Sequence, residues 1–269
     1  RRRIPAAGLW RGTCRRRHSA RVLSGVVVAV LTTVGAASAH DFWLVPDAFR
    51  LAPGDELVVR GQTGSSFPGS EAAVAVERIR EARVVGAGVE ERSTDLSHQG
   101  QSLLLRHRPR TAGQRIIAVS IGWRHVRESA EGFRRYLVLE GAPEALQRYE
   151  RAGLLPVDSI VRRYAKYAKT VVEVGRGPRT YSRIVGQPLE FIPLADPSGA
   201  RGRLRLRLLF QGAPLANARV HSGAASAPGA AAVPPLELKT SESGVIDLPL
   251  AAAGLWNVRA IHIVPSAPT

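Results

Sequence analysis

The first 39 residues constrain everything that follows them. Arginines at positions 1, 2, 3, 11, 15, 16, 17 and 21 precede an apolar run from Val22 to Val34, and the segment closes on Gly35-Ala36-Ala37-Ser38-Ala39. A basic region, an apolar core and a small-residue A-x-A end, in that order, read as an export signal cut after Ala39. The 13 residues of the run would cover about 20 Å as a helix, short of the ~30 Å hydrocarbon core of a bilayer, so it is a poor anchor. The adjacent Arg15, Arg16 and Arg17 leave general secretion and the twin-arginine route both open. The expected location is periplasmic or secreted, with no membrane span after cleavage.

Export changes the meaning of the composition. The net charge of +16 divides equally: residues 1–39 carry eight arginines and no Lys, Asp or Glu, and from residue 40 onward 30 basic residues face 22 acidic ones. Half of an apparent nucleic-acid signature therefore belongs to the signal. The only cysteine, Cys14, precedes the apolar run and leaves with it. A mature chain without cysteine has neither disulfides nor thiolate ligands, so packing alone stabilises it, and any metal site must use His, carboxylates and backbone groups. With 45% apolar and 22% charged residues, the chain has ordinary globular composition, which excludes disorder and a multi-span membrane protein.

Short β-rich runs bounded by turn residues dominate from His40 onward. They include 40–46, 56–60, 82–85, 102–106 and 115–121, then 169–174. Pro143 to Gly153 has Pro early, good helix formers in the middle and Gly at the end, and is predicted as a helix. Residues 158–169 fit either a second helix or an extended stretch. Pro188 to Pro197 reads as a connection, after which Leu204 to Phe210, Ala218 to Val220, Gly244 to Leu250 and Trp256 to Ile263 form a second β unit. Between them, Gly223 to Pro235 is nearly all Ala, Gly, Ser and Pro, a surface loop by composition. The expected fold is mainly β: two Ig-like or transthyretin-like β-sandwich domains, residues 40–190 and 200–265, with a short helical insert, preceded by the signal peptide of residues 1–39.

Catalytic signatures such as G-x-S-x-G, H-E-x-x-H, the P-loop and the dinucleotide fingerprint are missing, and the chain is read as a non-enzyme. One residue carries specific chemistry. Cleavage after Ala39 gives His40 a free α-amine beside its imidazole, and the amine with Nδ1 closes a chelate ring on a metal ion such as copper or nickel. An amine pKa of about 8 lets a metal displace the proton near neutral pH. A second imidazole would complete a histidine brace. His262 lies in the closing strand with undefined facing; His98 and His107 read as solvent-exposed, His125 sits among cations, and His221 abuts the loop. Asp41-Phe42-Trp43 reads as a core anchor that would also hold His40 in place. The basic residues Arg124, Arg127, Arg134, Arg135, Arg162, Arg163, Lys166 and Lys169, with Tyr164 and Tyr167 among them, read as a solvated face or a contact with an acidic envelope surface rather than with nucleic acid.

Several of these segments, in order, resemble a known family. His40 to Pro46 after a signal, Pro53-Gly54 before a strand, Tyr164 to Thr170, Phe210 to Val220 and Gly254 to His262 are similar to exported proteins of unknown function related to the periplasmic component of nickel and cobalt uptake systems. The resemblance implies divalent-metal handling, nickel or cobalt with copper as a further candidate, beside an inner-membrane metal transporter. It carries His40 over as terminal ligand and His262 as second ligand. Ile263 stands where a Met commonly follows that histidine, and the chain has no Met, so no thioether donor exists for a soft metal. The expected function is non-enzymatic metal binding in support of uptake. The alternative is a cell-envelope scaffold module that contacts a protein or glycan and has no metal role.

Overall fold

Runs of β-branched residues and leucine, alternating between a dry and a wet side, shape most of the chain into strands. The computed structural model describes residues 40–155, 158–226 and 232–265. The expected signal peptide and residues 227–231 of the expected loop lie outside them.

In chain order the first strands are β1 (Asp41–Pro46), β2 (Arg50–Leu51), β3 (Leu57–Gly64), β4 (Ile79–Gly86), β5 (Val89–Arg92), β6 (Leu96–Gln99), β7 (Ser102–His107) and β8 (Gly113–Ser129). Helices α1 (Ala130–Leu139) and α2 (Pro143–Arg151) separate these from β9 (Ser159–Val174). The chain then forms β10 (Leu189–Pro193), β11 (Arg203–Phe210), β12 (Ala213–Pro214), β13 (Arg219–Ser226), β14 (Leu236–Lys239), β15 (Val245–Pro249) and β16 (Gly254–Ala260).

A four-stranded sheet in the order β1-β3-β7-β6 packs on a five-stranded sheet in the order β2-β9-β8-β4-β5. Leu44, Leu57, Val59 and Leu105 from the first sheet meet Ala82, Val84, Ile117, Val119 and Val172 from the second. A second sandwich is smaller. Strand β11 pairs with β10, β12 and β15, and β13 pairs with β14 and β16. Its core is Leu206, Leu208, Val220 and Ile246, with Leu238 and Val258 packed against them. The protein is therefore mainly β, with two sandwiches and a helical insert, as expected.

The insert has a local cause. Ser129 ends β8 in an extended conformation and its Oγ accepts the Gly132 N–H at 3.0 Å, capping α1. Pro143 opens α2, where a missing N–H costs nothing. Phe133 and Leu137 on α1 meet Ala145 and Tyr149 on α2, with Ile160 and Ile263 closing the cluster. The Phe133 and Tyr149 rings meet edge to face at 5.5 Å.

Three local readings change. Residues 159–169, open between helix and strand, join 170–174 as one strand of 16 residues. Their apolar spacing also suits a helix, but the 17-residue β8 offers a partner strand along this whole stretch, interrupted only by the register shift at Ile121 and Arg124. The connection at Pro188 to Pro197 contains β10, which pairs with β11 and so belongs to the second sandwich. Helix α1 was not anticipated, since a Gly two residues after its start hides a Ser cap followed by Phe133 and Leu137 at helical spacing. Among the described residues no helix is long and apolar enough to cross a membrane.

Strand β1 is an edge strand held by a tight fit. A Cβ on Gly61 would lie 3.0 Å from Cε2 and Cζ of Phe42 and 3.2 Å from Cδ2 of Leu103, so the absence of a side chain lets Phe42 close over the core. Gly61→Ala is expected to lower stability by about 1–3 kcal/mol through overpacking. Urea unfolding checks this; an unchanged midpoint would show that Phe42 gives way freely.

Candidate functional site

Strand β1 delivers His40 and Asp41 to the place where the first sandwich, the helices and β16 converge. Trp43 is the pin: it is buried, its ring meets Phe67 edge to face at 5.6 Å, and its Nε1–H donates to the Pro68 carbonyl at 3.2 Å. The reading of Asp41-Phe42-Trp43 as an anchor holds, since Phe42 also packs against the core.

The His40 side chain is partly open to solvent, and its Nε2 lies 2.7 Å from Oε2 of Glu71. Glu71 is itself positioned from several sides. Its Oε1 accepts the Ser65 N–H at 2.6 Å, its N–H donates to the Thr63 carbonyl at 2.7 Å, and its carbonyl accepts Gln101 Nε2 at 2.9 Å. The Ser65 N–H first, then the His40 ring, hold the Glu71 carboxyl below its ordinary pKa. An ionised carboxylate only accepts, so Nε2 of His40 carries the proton, and in the neutral ring Nδ1 keeps the lone pair. Nδ1 is the nitrogen that lies within chelating reach of the residue's own backbone nitrogen. Across the site, the Lys166 ammonium donates to the His40 carbonyl.

Asp41 faces a second polar group. Its Oδ2 lies 3.1 Å from Nε of Arg259, whose Nη1 is 3.9 Å from the buried Glu140. Burial raises the Asp41 pKa, opposed by the charges of Arg259, Lys166 and His221. Burial also lowers the Lys166 pKa, with Asp41 acting against it. His221 on β13 joins this junction from the other side. Its Nδ1 is 4.0 Å from Glu237, and its Nε2 is buried without a hydrogen-bond partner. A Cβ on Gly141, which has φ +66°, would lie 2.9 Å from that nitrogen. Glycine here serves both the left-handed turn after α1 and the close approach of the ring.

His262 has a different environment. Its ring meets Phe210 edge to face at 4.5 Å, and burial, then the charge of Arg148, lowers its pKa. Among the described residues no hydrogen bond or ion pair joins His262 to His40 or Glu71. Nor does any group of three or more His, Cys, Asp and Glu side chains there form a metal-holding cluster. Of the other histidines, His98 donates its Nε2–H to the Val74 carbonyl at 2.8 Å. His107, expected on the surface, is partly buried, and burial lowers its pKa.

Sequence reasoning missed Glu71, Lys166 as a partner of His40, and His221. Glu71 sits 31 positions from His40 in a polar turn with no distinguishing pattern. His221 borders a loop in sequence but lies within the pairing of β13 with β16, opposite Arg259.

A double β-sandwich with a helical insert and an amino-proximal histidine–carboxylate pair defines the class of this protein. Residues 37–264 match the family described as Domain of unknown function (DUF4198), and the chain belongs to it. No curated protein matches the sequence. Among solved structures, the D0-D1 domain of intimin is similar at a TM-score of 0.23 and 8% identity, over 83% of this chain and 91% of that one.

Three partly buried histidines make stability depend on pH. His107, His221 and His262 all have folded pKa values lowered from 6.5. Above the unfolded value of about 6.5 they are neutral in both states; as pH falls below it the unfolded chain takes up protons first, and stability is lost. Thermal melts from pH 8 toward acid are expected to show Tm falling below about 6.5. Replacing His221 and His262 with Gln should flatten that decline, and an undiminished slope would move its origin elsewhere.

Proposed function

We propose that this protein is a non-enzymatic, exported carrier that captures a divalent metal ion, nickel or cobalt with copper as a further candidate, through its processed amino terminus. The observation that carries the reading is the 2.7 Å contact between His40 Nε2 and Glu71. A carboxylate on the far nitrogen of a ligating histidine fixes the tautomer, orients the ring and raises the basicity of the other nitrogen. Cleavage after Ala39 would add the α-amine, and amine plus Nδ1 would then form the chelate. So small a protein donor set suits an ion held as cargo for transfer, because water or an acceptor's ligands can fill the other positions.

In this reading His40 is the ligand, Glu71 its positioning partner, and Lys166 and Trp43 hold the strand end. His262, carried over by resemblance as second ligand, is assigned to packing against Phe210. The nickel and cobalt preference and the membrane transporter as recipient rest on the family resemblance alone. The alternative, an envelope scaffold that contacts a protein or glycan, draws on the lack of a three-residue metal cluster among the described residues.

Titration calorimetry of protein exported and processed to His40, with nickel, cobalt, copper and zinc in turn, tests the proposal. One-to-one binding is expected, and a Gly inserted before His40 should abolish it by moving the amine away. Glu71→Ala should weaken affinity by roughly 10–100-fold, whereas His262→Ala should leave it nearly unchanged. Equal affinity with and without the inserted Gly would sink the chelate, and absence of binding to all four metals would favour the scaffold.

A further inference from the structure

Beyond the register shift between Ile121 and Arg124, β8 and β9 continue as a two-stranded arm in which each pairs only with the other, from Arg124↔Tyr164 to Ser129↔Ser159. Paired residues share a face, so the arm has two chemically different sides. One side carries Val126, Glu128, Ile160 and Arg162. Arg162 bonds Glu128 there and lies over the Tyr136 ring of α1 at 3.9 Å, so this side is covered by the helical insert.

The opposite side carries His125 and Arg127 from β8 with Val161 and Arg163 from β9, and all four are exposed. Trp123, in the bulge, joins them: it is 56% exposed and the Arg163 guanidinium lies 5.1 Å from its ring centroid. Ser129 and Ser159 complete this side, so it contains no carboxylate. Among the described residues neither Arg127 nor Arg163 forms an ion pair. The basic cluster of the sequence thus separates by position. Lys169 is neutralised by Glu190, Arg135 by Glu131 and Arg162 by Glu128, while the cations on the outer side of the arm keep their charge facing solvent.

We propose that the outer side of the β8–β9 arm, through Trp123, His125, Arg127, Val161 and Arg163, docks the protein on an anionic phospholipid surface. The side mixes guanidinium groups that have no carboxylate partner with an exposed indole and an exposed valine, 46% accessible. Indole favours the headgroup level of a bilayer, where one edge is apolar and the other wet. Arginine presents its N–H fork to lipid phosphate while its stem lies on apolar surface. An acidic glycan or peptide would use the charge but gain little from the exposed Val161. This docking is independent of the metal reading: it uses neither His40 nor Glu71.

The test is co-sedimentation of protein purified after export, its amino terminus verified by mass spectrometry, with vesicles of phosphatidylcholine alone or mixed with phosphatidylglycerol. Binding is expected only to the mixed vesicles and should weaken as salt rises. Trp123→Ala and the double reversal Arg127→Glu/Arg163→Glu should each reduce it by roughly tenfold or more, with melting temperatures unchanged. The double reversal Arg92→Glu/Arg176→Glu changes net charge equally on residues exposed elsewhere and should bind like the parent. Three outcomes overturn the proposal: no binding to mixed vesicles, equal loss in both double reversals, or binding to dextran sulfate that needs the arginines but not Trp123 while vesicles are ignored.

Discussion

The pairing of β8 with β9 is the interaction on which the rest of this structure depends. It runs from Gly113↔Val174 to Ser129↔Ser159, and its two halves do different work. The first half forms the centre of the five-stranded sheet and supplies Ile117, Val119 and Val172 to the main core. The second half extends as the arm on which the helical insert rests. Because side chains alternate along a strand, a slip of one residue would reverse every facing. Lys166 would turn from His40, and Arg127 and Arg163 would point at the helices. The dry residues of the first half set its register, and the bulge between Ile121 and Arg124 shifts that register by one residue for the polar residues of the second half.

Charge is placed by the same rule. Lys169 and Glu190 pair at 2.7 Å with both side chains nearly buried, and Glu190 also accepts the Val185 and Gly186 N–H groups. A buried pair of this kind is tolerated because its remaining lone pairs are satisfied. Asp41, Arg259 and Glu140 form a looser polar junction between β1, β16 and the end of α1, fastening the start of the first sandwich to the last strand of the second. The His40 and Glu71 side chains, by contrast, stay near solvent. Such a division separates groups that fasten the fold from groups that remain chemically available.

Several parts of this arrangement are legible in sequence for identifiable reasons. The strands, α2 and the anchoring role of Trp43 follow from alternation, from Pro143 and from aromatic residues next to a β-rich run. His40 stands out because an A-x-A end precedes it. The far part of β9 is not legible, since Ile160, Val161, Tyr164 and Tyr167 fit two periods at once and only a partner strand decides between them. His107 looks like a surface residue from its polar neighbours and His221 like the margin of a loop, whereas strand facing and the close approach of Gly141 partly bury them.

By itself, then, the sequence determined a disulfide-free, mainly β chain in two sandwiches, and it singled out His40 as the residue with unusual chemistry. Those conclusions rest on local patterns, which neighbouring residues impose on one another. Tertiary structure alone decided that Glu71 meets the His40 ring, that His262 packs on Phe210, and that the basic cluster divides into paired and unpaired cations. Each of these is a contact between distant segments, set by sheet register and layer packing. No local pattern encodes such contacts, because the same residues in another register would have met different partners.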